Sequence, residues 1–229
     1  MARRAITITT LLAGLLAVLL ALVFQASDFN LFRRTGTKGE ARLLVRGKNN
    51  TVLFITSEPN GLSNVHLATS FALLEQHPDV DVHIVSFPKL ESSVDRISKA
   101  AKRRSATARS ITWHELPGPD FGDAAIVAGK NVNNIVHKPG AAGLNQMAQD
   151  LQFFVAPWTG PEHLALYRAI CDLIDEINPA VAVLDSLFRP AIDAVQEKNR
   201  THAIVSANTV IDIFSGDQPR GQALWKYPM

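Results

Sequence analysis

The 229-residue chain has one cysteine, Cys171. A single thiol cannot close an internal disulfide, and it has no partner for a structural zinc site. Cys171 lies among Leu166, Ile170, Leu173, Ile174 and Ile177 at helical spacing, which reads as a small core residue rather than a nucleophile. Charge of one sign is also lacking. Lys and Arg number 23 against 21 Asp and Glu, so a net charge of +2 gives no field suited to nucleic acid. The basic cluster Lys99 to Arg104, with Arg109 beyond it, has no interleaved aromatics and reads as a solvated helix face. The loop after the first apolar strand holds only Gly61, where a dinucleotide fingerprint needs three spaced glycines, and no P-loop occurs anywhere. That disfavours an NAD-dependent oxidoreductase and a bound nucleotide cofactor. His114, His137 and His163 have no spaced partner, so no metal site is expected.

What the chain does have begins at its N-terminus. Arg3 and Arg4 precede an uncharged, mostly apolar stretch from Ala5 to Phe24, about the length that crosses a bilayer core as a helix. The best cleavage site ends Phe24-Gln25-Ala26, with a bulky residue where a small one is needed. The expectation is a retained signal anchor over residues 1–26, holding a single-pass protein in the membrane of the endoplasmic reticulum. Residues 27–50 read as a polar, basic juxtamembrane linker, and residues 51–229 as one domain. Two glycosylation triplets, Asn49-Asn50-Thr51 and Asn199-Arg200-Thr201, fit a lumenal placement.

From Thr51 the pattern is a regular α/β alternation. Continuous apolar runs predict strands over Thr51 to Ser57, Val80 to Phe87, Ile111 to Leu116, Ala180 to Asp185 and His202 to Ser206. Helices are predicted over Asn64 to Gln76, Leu90 to Arg104, Gly160 to Ile177 and Pro190 to Lys198, with a further helix over Leu144 to Val155. Glu58 to Ser63, with Pro59 and Gly61, is predicted as a loop, and Pro117 to Gly143 as an irregular section. Five strands separated by helices specify a Rossmann-like, doubly wound parallel sheet of order 3-2-1-4-5. Ligands in such sheets bind beyond the carboxyl ends of the strands, where the winding reverses. That rule selects the ends of strands one and four, and so Asp185.

Asp185 ends an apolar strand. Its carboxylate can hold a histidine in the correct tautomer during proton transfer, or it can cap the following helix in an Asx-turn. Both readings stand. In the helix from Asn64, Val65, Ala68 and Ala72 lie on one stripe and Leu67, Phe71 and Leu74 on an adjoining one, and His66 falls off the first. Near a helix start its pKa is lowered, which suits a neutral base; an ordinary, partly exposed helix residue is the plainer reading. Phe121, Phe153, Phe154 and Trp158 either line an apolar pocket or belong to the core.

Four segments, in order and at matching spacing, carry a resemblance. SEPNGLSNVHLATSFALLEQHPDVDVHIVSF (Ser57 to Phe87), VLDSLFRPAIDAV (Val183 to Val195), SANTVIDIF (Ser206 to Phe214) and DQPRGQALWKYP (Asp217 to Pro228) are similar to fungal members of the UDP-glycosyltransferase family. The resemblance implies the N-terminal, acceptor-binding half of a GT-B fold. UDP-sugar is then a co-substrate held only with a C-terminal donor domain; the expectation is that this domain is absent here and that the chain is a truncated piece inactive alone. The implied reaction is inverting hexosyl transfer to a hydroxyl of an apolar small-molecule or lipid acceptor, with no metal. Asp185 matches the family aspartate that orients the catalytic histidine. Leu62 falls where that histidine is expected, and His66, four residues on, is the candidate in its place. The alternative is a non-catalytic, membrane-anchored subunit that binds acceptor and recruits a separate donor-binding chain.

Overall fold

The computed structural model describes residues 43–129 and 156–207, together with positions 143, 146 and 150. The chain divides into two units, Met1–Leu43 and Leu44–Met229, and the fold below belongs to the second. Its elements are β1 (Lys48–Ile55), α1 (Asn60–Gln76), β2 (Asp81–Ser86), α2 (Glu91–Arg104), β3 (Thr112–Glu115), α3 (Phe121–Val127), α4 (Gly160–Ile177), β4 (Pro179–Asp185), α5 (Arg189–Glu197) and β5 (His202–Val205). The strands form one parallel sheet in the order β3-β2-β1-β4-β5, the order expected from the alternation.

Alternation along each strand divides the core into two layers. Leu53 and Ile55 of β1, Val85 of β2, and Ala182 and Leu184 of β4 pack against α4 and α5. Phe54, Val82, Ile84 and Val183 point the other way, towards α1 and α2. Burial on both faces is why these strands read as unbroken apolar runs.

Local chemistry sets the helix ends. α4 starts at a capping box, in which Thr159 and Glu162 satisfy each other's neighbouring donors, and stops at Asn178 in the left-handed region, φ 51°. Both ends lie where the sequence puts them.

Two expectations change. α1 begins at Asn60, four residues earlier than predicted, so the loop after β1 is shorter. Gly61 is tolerated in the first turn, and the Ser63 hydroxyl donates back to the Glu58 and Pro59 carbonyls. The section predicted as irregular contains α3, capped by Asp120, whose Oδ1 accepts from the Asp123 amide.

The expectation of a transmembrane helix and a single-pass membrane location is corrected. Among the described residues, no helix is long and apolar enough to cross a membrane. The stretch Ala5 to Phe24, on which that expectation rested, lies outside the described residues, as do the predicted helix over Leu144 to Val155 (positions 146 and 150 apart), His137, Phe153 and Phe154.

Candidate functional site at the carboxyl edge of the sheet

Ile55 is in register with both Val85 and Leu184. The next residues along are Thr56, just past the end of β1, with Ser86 and Asp185, the last residues of β2 and β4; the Thr56 amide donates to the Val85 carbonyl and its hydroxyl lies 3.5 Å from Asp185 Oδ2. They continue the alternation of Phe54, Ile84 and Val183, so all three face α1. This row lies at the topological switch point, where β1 is flanked by β2 and β4.

Asp185 is 1% exposed. A buried carboxylate is costly unless its oxygens are bonded. Here Oδ2 accepts from the Ser57 hydroxyl at 3.1 Å and, more distantly, from the Thr56 hydroxyl at 3.5 Å. Oδ1 accepts from the Leu187 amide at 2.9 Å, which is the Asx-turn. Sequence reasoning left two readings open, and the turn is present. It occupies Oδ1, while Oδ2 faces the hydroxyls at the end of β1. No signal in the sequence singled out Thr56 and Ser57, because they close an apolar run and look like the start of a loop.

His66 is not partly exposed, as expected, but 1% exposed. The buried face of α1 is Ser63, His66, Leu67, Ser70 and Leu74, whereas Ala68 and Ala72 face solvent. Of the two stripes given by apolar periodicity, that of Leu67, Phe71 and Leu74 borders the buried face and that of Val65, Ala68 and Ala72 does not; Ser63 and Ser70 join the inner face with their hydroxyls bonded to the Pro59 and Leu67 carbonyls. The imidazole stands edge-on to Phe54, ring centroids 6.2 Å apart, and its Nδ1 is buried without a hydrogen-bond partner. Burial pushes its pKa down, and the Asp185 charge opposes that shift. The cause is burial rather than the helix start, since His66 is in the second turn. Asp185 and His66 thus share one site and interact through charge, without a hydrogen bond between them. Leu62 is half-buried in the first turn of the same helix.

Glu58, which sequence reasoning passed over, leaves the end of β1 in the other direction. Its two oxygens accept from the Phe121 and Gly122 amides at 3.2 and 3.0 Å, the first turn of α3. Burial raises its pKa, the backbone hydrogen bonds oppose this, and Asp120 adds to the rise. Lys89 binds Asp120 and Asp123. Phe121 meets Trp158, which packs on Phe87 and Phe188 and donates its indole N–H to the Pro119 carbonyl. Trp158 is buried, so this aromatic group is core beneath the edge of the sheet.

Three further histidines have side-chain partners. His83 and His114 stack on adjacent strands with Nδ1 and Nε2 2.9 Å apart, and His83 also reaches Asp81. Burial, then His83, lowers the His114 pKa. His163 meets Asp193 across α4 and α5 at 3.2 Å. Among the described residues, no group of three or more such side chains is placed to hold a metal ion.

Fold and site together define a Rossmann-like domain whose polar edge is built from carboxylate, hydroxyl and imidazole groups, in a sequence without a glycine-rich phosphate loop. No family model matches the sequence. Over 190 residues, 80% of this chain, it is 30% identical to Glycosyltransferase sdnJ of Sordaria araneosa. The matched part is 37% of that protein, so the chain spans little more than a third of the length of this curated relative. The chain is thus similar to a glycosyltransferase over four-fifths of its own length.

Proposed function

We propose that the α/β domain is the acceptor-binding part of a UDP-sugar-dependent glycosyltransferase, acting with a second domain that holds the donor. The observation that carries the reading is Asp185. It is a buried carboxylate at the switch point, in a chain similar to a glycosyltransferase over four-fifths of its length. In the reaction an acceptor hydroxyl gives up its proton to a base as its oxygen bonds to the anomeric carbon. The bond from that carbon to the diphosphate breaks, and UDP leaves with the electron pair. Most of the acceleration comes from holding hydroxyl and carbon together, an effect worth up to about 7–11 kcal/mol. Asp185 supports positive charge on the histidine side of the site, and an apolar hydroxylated molecule is the acceptor.

The test is to incubate the chain with radiolabelled UDP-glucose and a panel of hydroxylated apolar acceptors, alone and with the donor-binding part of the relative added in trans. Turnover only with the added part, abolished by Asp185→Ala, is expected. Turnover that Asp185→Ala leaves intact would overturn the role of Asp185. A second reading is a non-catalytic acceptor-binding subunit that recruits a donor-binding chain. It is favoured by His66, which is buried and not hydrogen-bonded to Asp185. Acceptor binding without turnover in either arm would select it.

A further inference from the structure

The α1 face of the carboxyl edge contains two buried polar groups that no protein group satisfies, His66 Nδ1 and Ser86 Oγ. Such orphans are uncommon in folded proteins, and each calls for a physical explanation. They are not scattered. Thr56 and Ser86 each follow a residue of the registered pair Ile55 and Val85, the Thr56 amide donates to the Val85 carbonyl, and neighbouring strands lie about 4.8 Å apart. Phe54, which the His66 ring meets edge-on, is two residues before Thr56 on the same face. His66 also senses the charge of Asp185, on the other side of Thr56. Thr56 is completely buried; its hydroxyl donates towards the Ser57 carbonyl and Asp185 Oδ2, leaving its lone pairs free to accept.

A buried water needs two to four polar partners, and a bound one commonly has about three. We propose that one water molecule is bound on this face between His66 Nδ1, Ser86 Oγ and Thr56 Oγ1. Ser86 donates to it, it donates to Thr56, and it pairs with the imidazole nitrogen. With its one proton turned from the Ser57 carbonyl at 3.1 Å to Asp185 Oδ2 at 3.5 Å, the Thr56 hydroxyl then carries the connection on to Asp185. His66 and Asp185 are thereby joined through a water and a hydroxyl rather than directly. His66 becomes a positioning residue, which fixes the carboxylate through this chain and does not touch substrate. That consequence for catalysis rests on the glycosyl-transfer reading; the water site does not.

The experiment is NMR on the full-length chain. Wild type should show a persistent water cross-peak at the Thr56 and Ser86 amides, and an imidazole ¹⁵N spectrum in which His66 Nδ1 is hydrogen-bonded. Ser86→Ala should lose the cross-peak and shift the His66 titration midpoint, and Ser86→Thr, which restores the hydroxyl, should recover both. A wild-type chain with no such cross-peak, or with His66 Nδ1 bonded to a protein group, overturns the proposal whatever the variants do. A cross-peak that survives Ser86→Ala unchanged overturns the stated partners. The transfer assay reads the other question separately: failure there with the cross-peak present removes the glycosyl-transfer reading and leaves the water site standing.

Discussion

The Ser57 hydroxyl donates to Oδ2 of Asp185 across 3.1 Å, joining the chain just beyond β1 to the last residue of β4, 128 positions away in sequence. The bond fixes the carboxylate where the sheet changes direction, and it connects two of the segments that carry the family resemblance. Asp185→Ala leaves the Ser57 hydroxyl and the Leu187 amide without their acceptor. An unfolding free energy lower by about 1–3 kcal/mol is expected, with a smaller loss for Asp185→Asn, which keeps one carbonyl oxygen. Urea titration measures it. An unchanged midpoint for the alanine variant would show that the bonds add nothing to stability.

Acid should weaken the fold from the ordinary histidine value downward. His66 and His114 are both pushed below 6.5 by burial. The unfolded chain therefore takes up protons before the folded one does. The associated stability is complete above about 6.5 and is lost as pH falls from there through the folded values. Glu58 acts in the opposite sense. Its folded pKa is raised above 4.5, so its ionised form is the costly one, and its contribution improves as pH falls through that lower window. Thermal midpoints followed downward from neutrality should fall first, and His66→Gln should flatten that slope. A midpoint independent of pH just below 6.5 contradicts the assignment.

Gly47→Ala should destabilise through backbone contact rather than conformational freedom. A Cβ there would run into the Asn178 carbonyl oxygen, with the Pro179 carbonyl oxygen at 2.5 Å and Arg200 Nη2 at 2.6 Å. Arg200 Nη2 is already committed to Asn178 Oδ1 and the Pro179 carbonyl, so little can give way. The over-packing range of about 1–3 kcal/mol applies. A variant as stable as the parent in denaturant would mean that the start of β1 can move away from β4 at no cost.

Glu58→Ala frees two amide donors at the start of α3. Loss of a helix cap costs about 0.5–2 kcal/mol. Because Phe121 bears on Trp158, the loss should also appear in the indole environment. With Trp113 and Trp225 replaced by Phe, the emission of Trp158 should move to the red in the alanine variant. Emission at the parental wavelength would show that α3 is held by Phe121, Ala124 and Ala125 alone.

The sequence alone determined the sheet. The central strands β1, β2 and β4 are largely buried and so read as short apolar runs, while the edge strands β3 and β5 are more exposed and were legible from their places in the α/β alternation, which with right-handed crossovers leaves few orders open. That was enough to bring Asp185 to the switch point. Thr159, Glu162 and Asn178 likewise set the bounds of α4, since caps are local chemistry. The face of α1 that turns inward was settled only by tertiary structure. Ser63 and Ser70 count as polar in any periodicity, yet they are buried because each hydroxyl bonds a nearby backbone carbonyl, Pro59 for Ser63 and Leu67 for Ser70, and His66 is carried inward between them. The same holds for Glu58, whose partners lie 63 and 64 residues away. Hydrophobic pattern reports which elements form and where they turn. Which polar groups meet at an edge depends on the register between strands, here Ile55 with Val85 and Leu184, and that register exists only once the sheet has assembled.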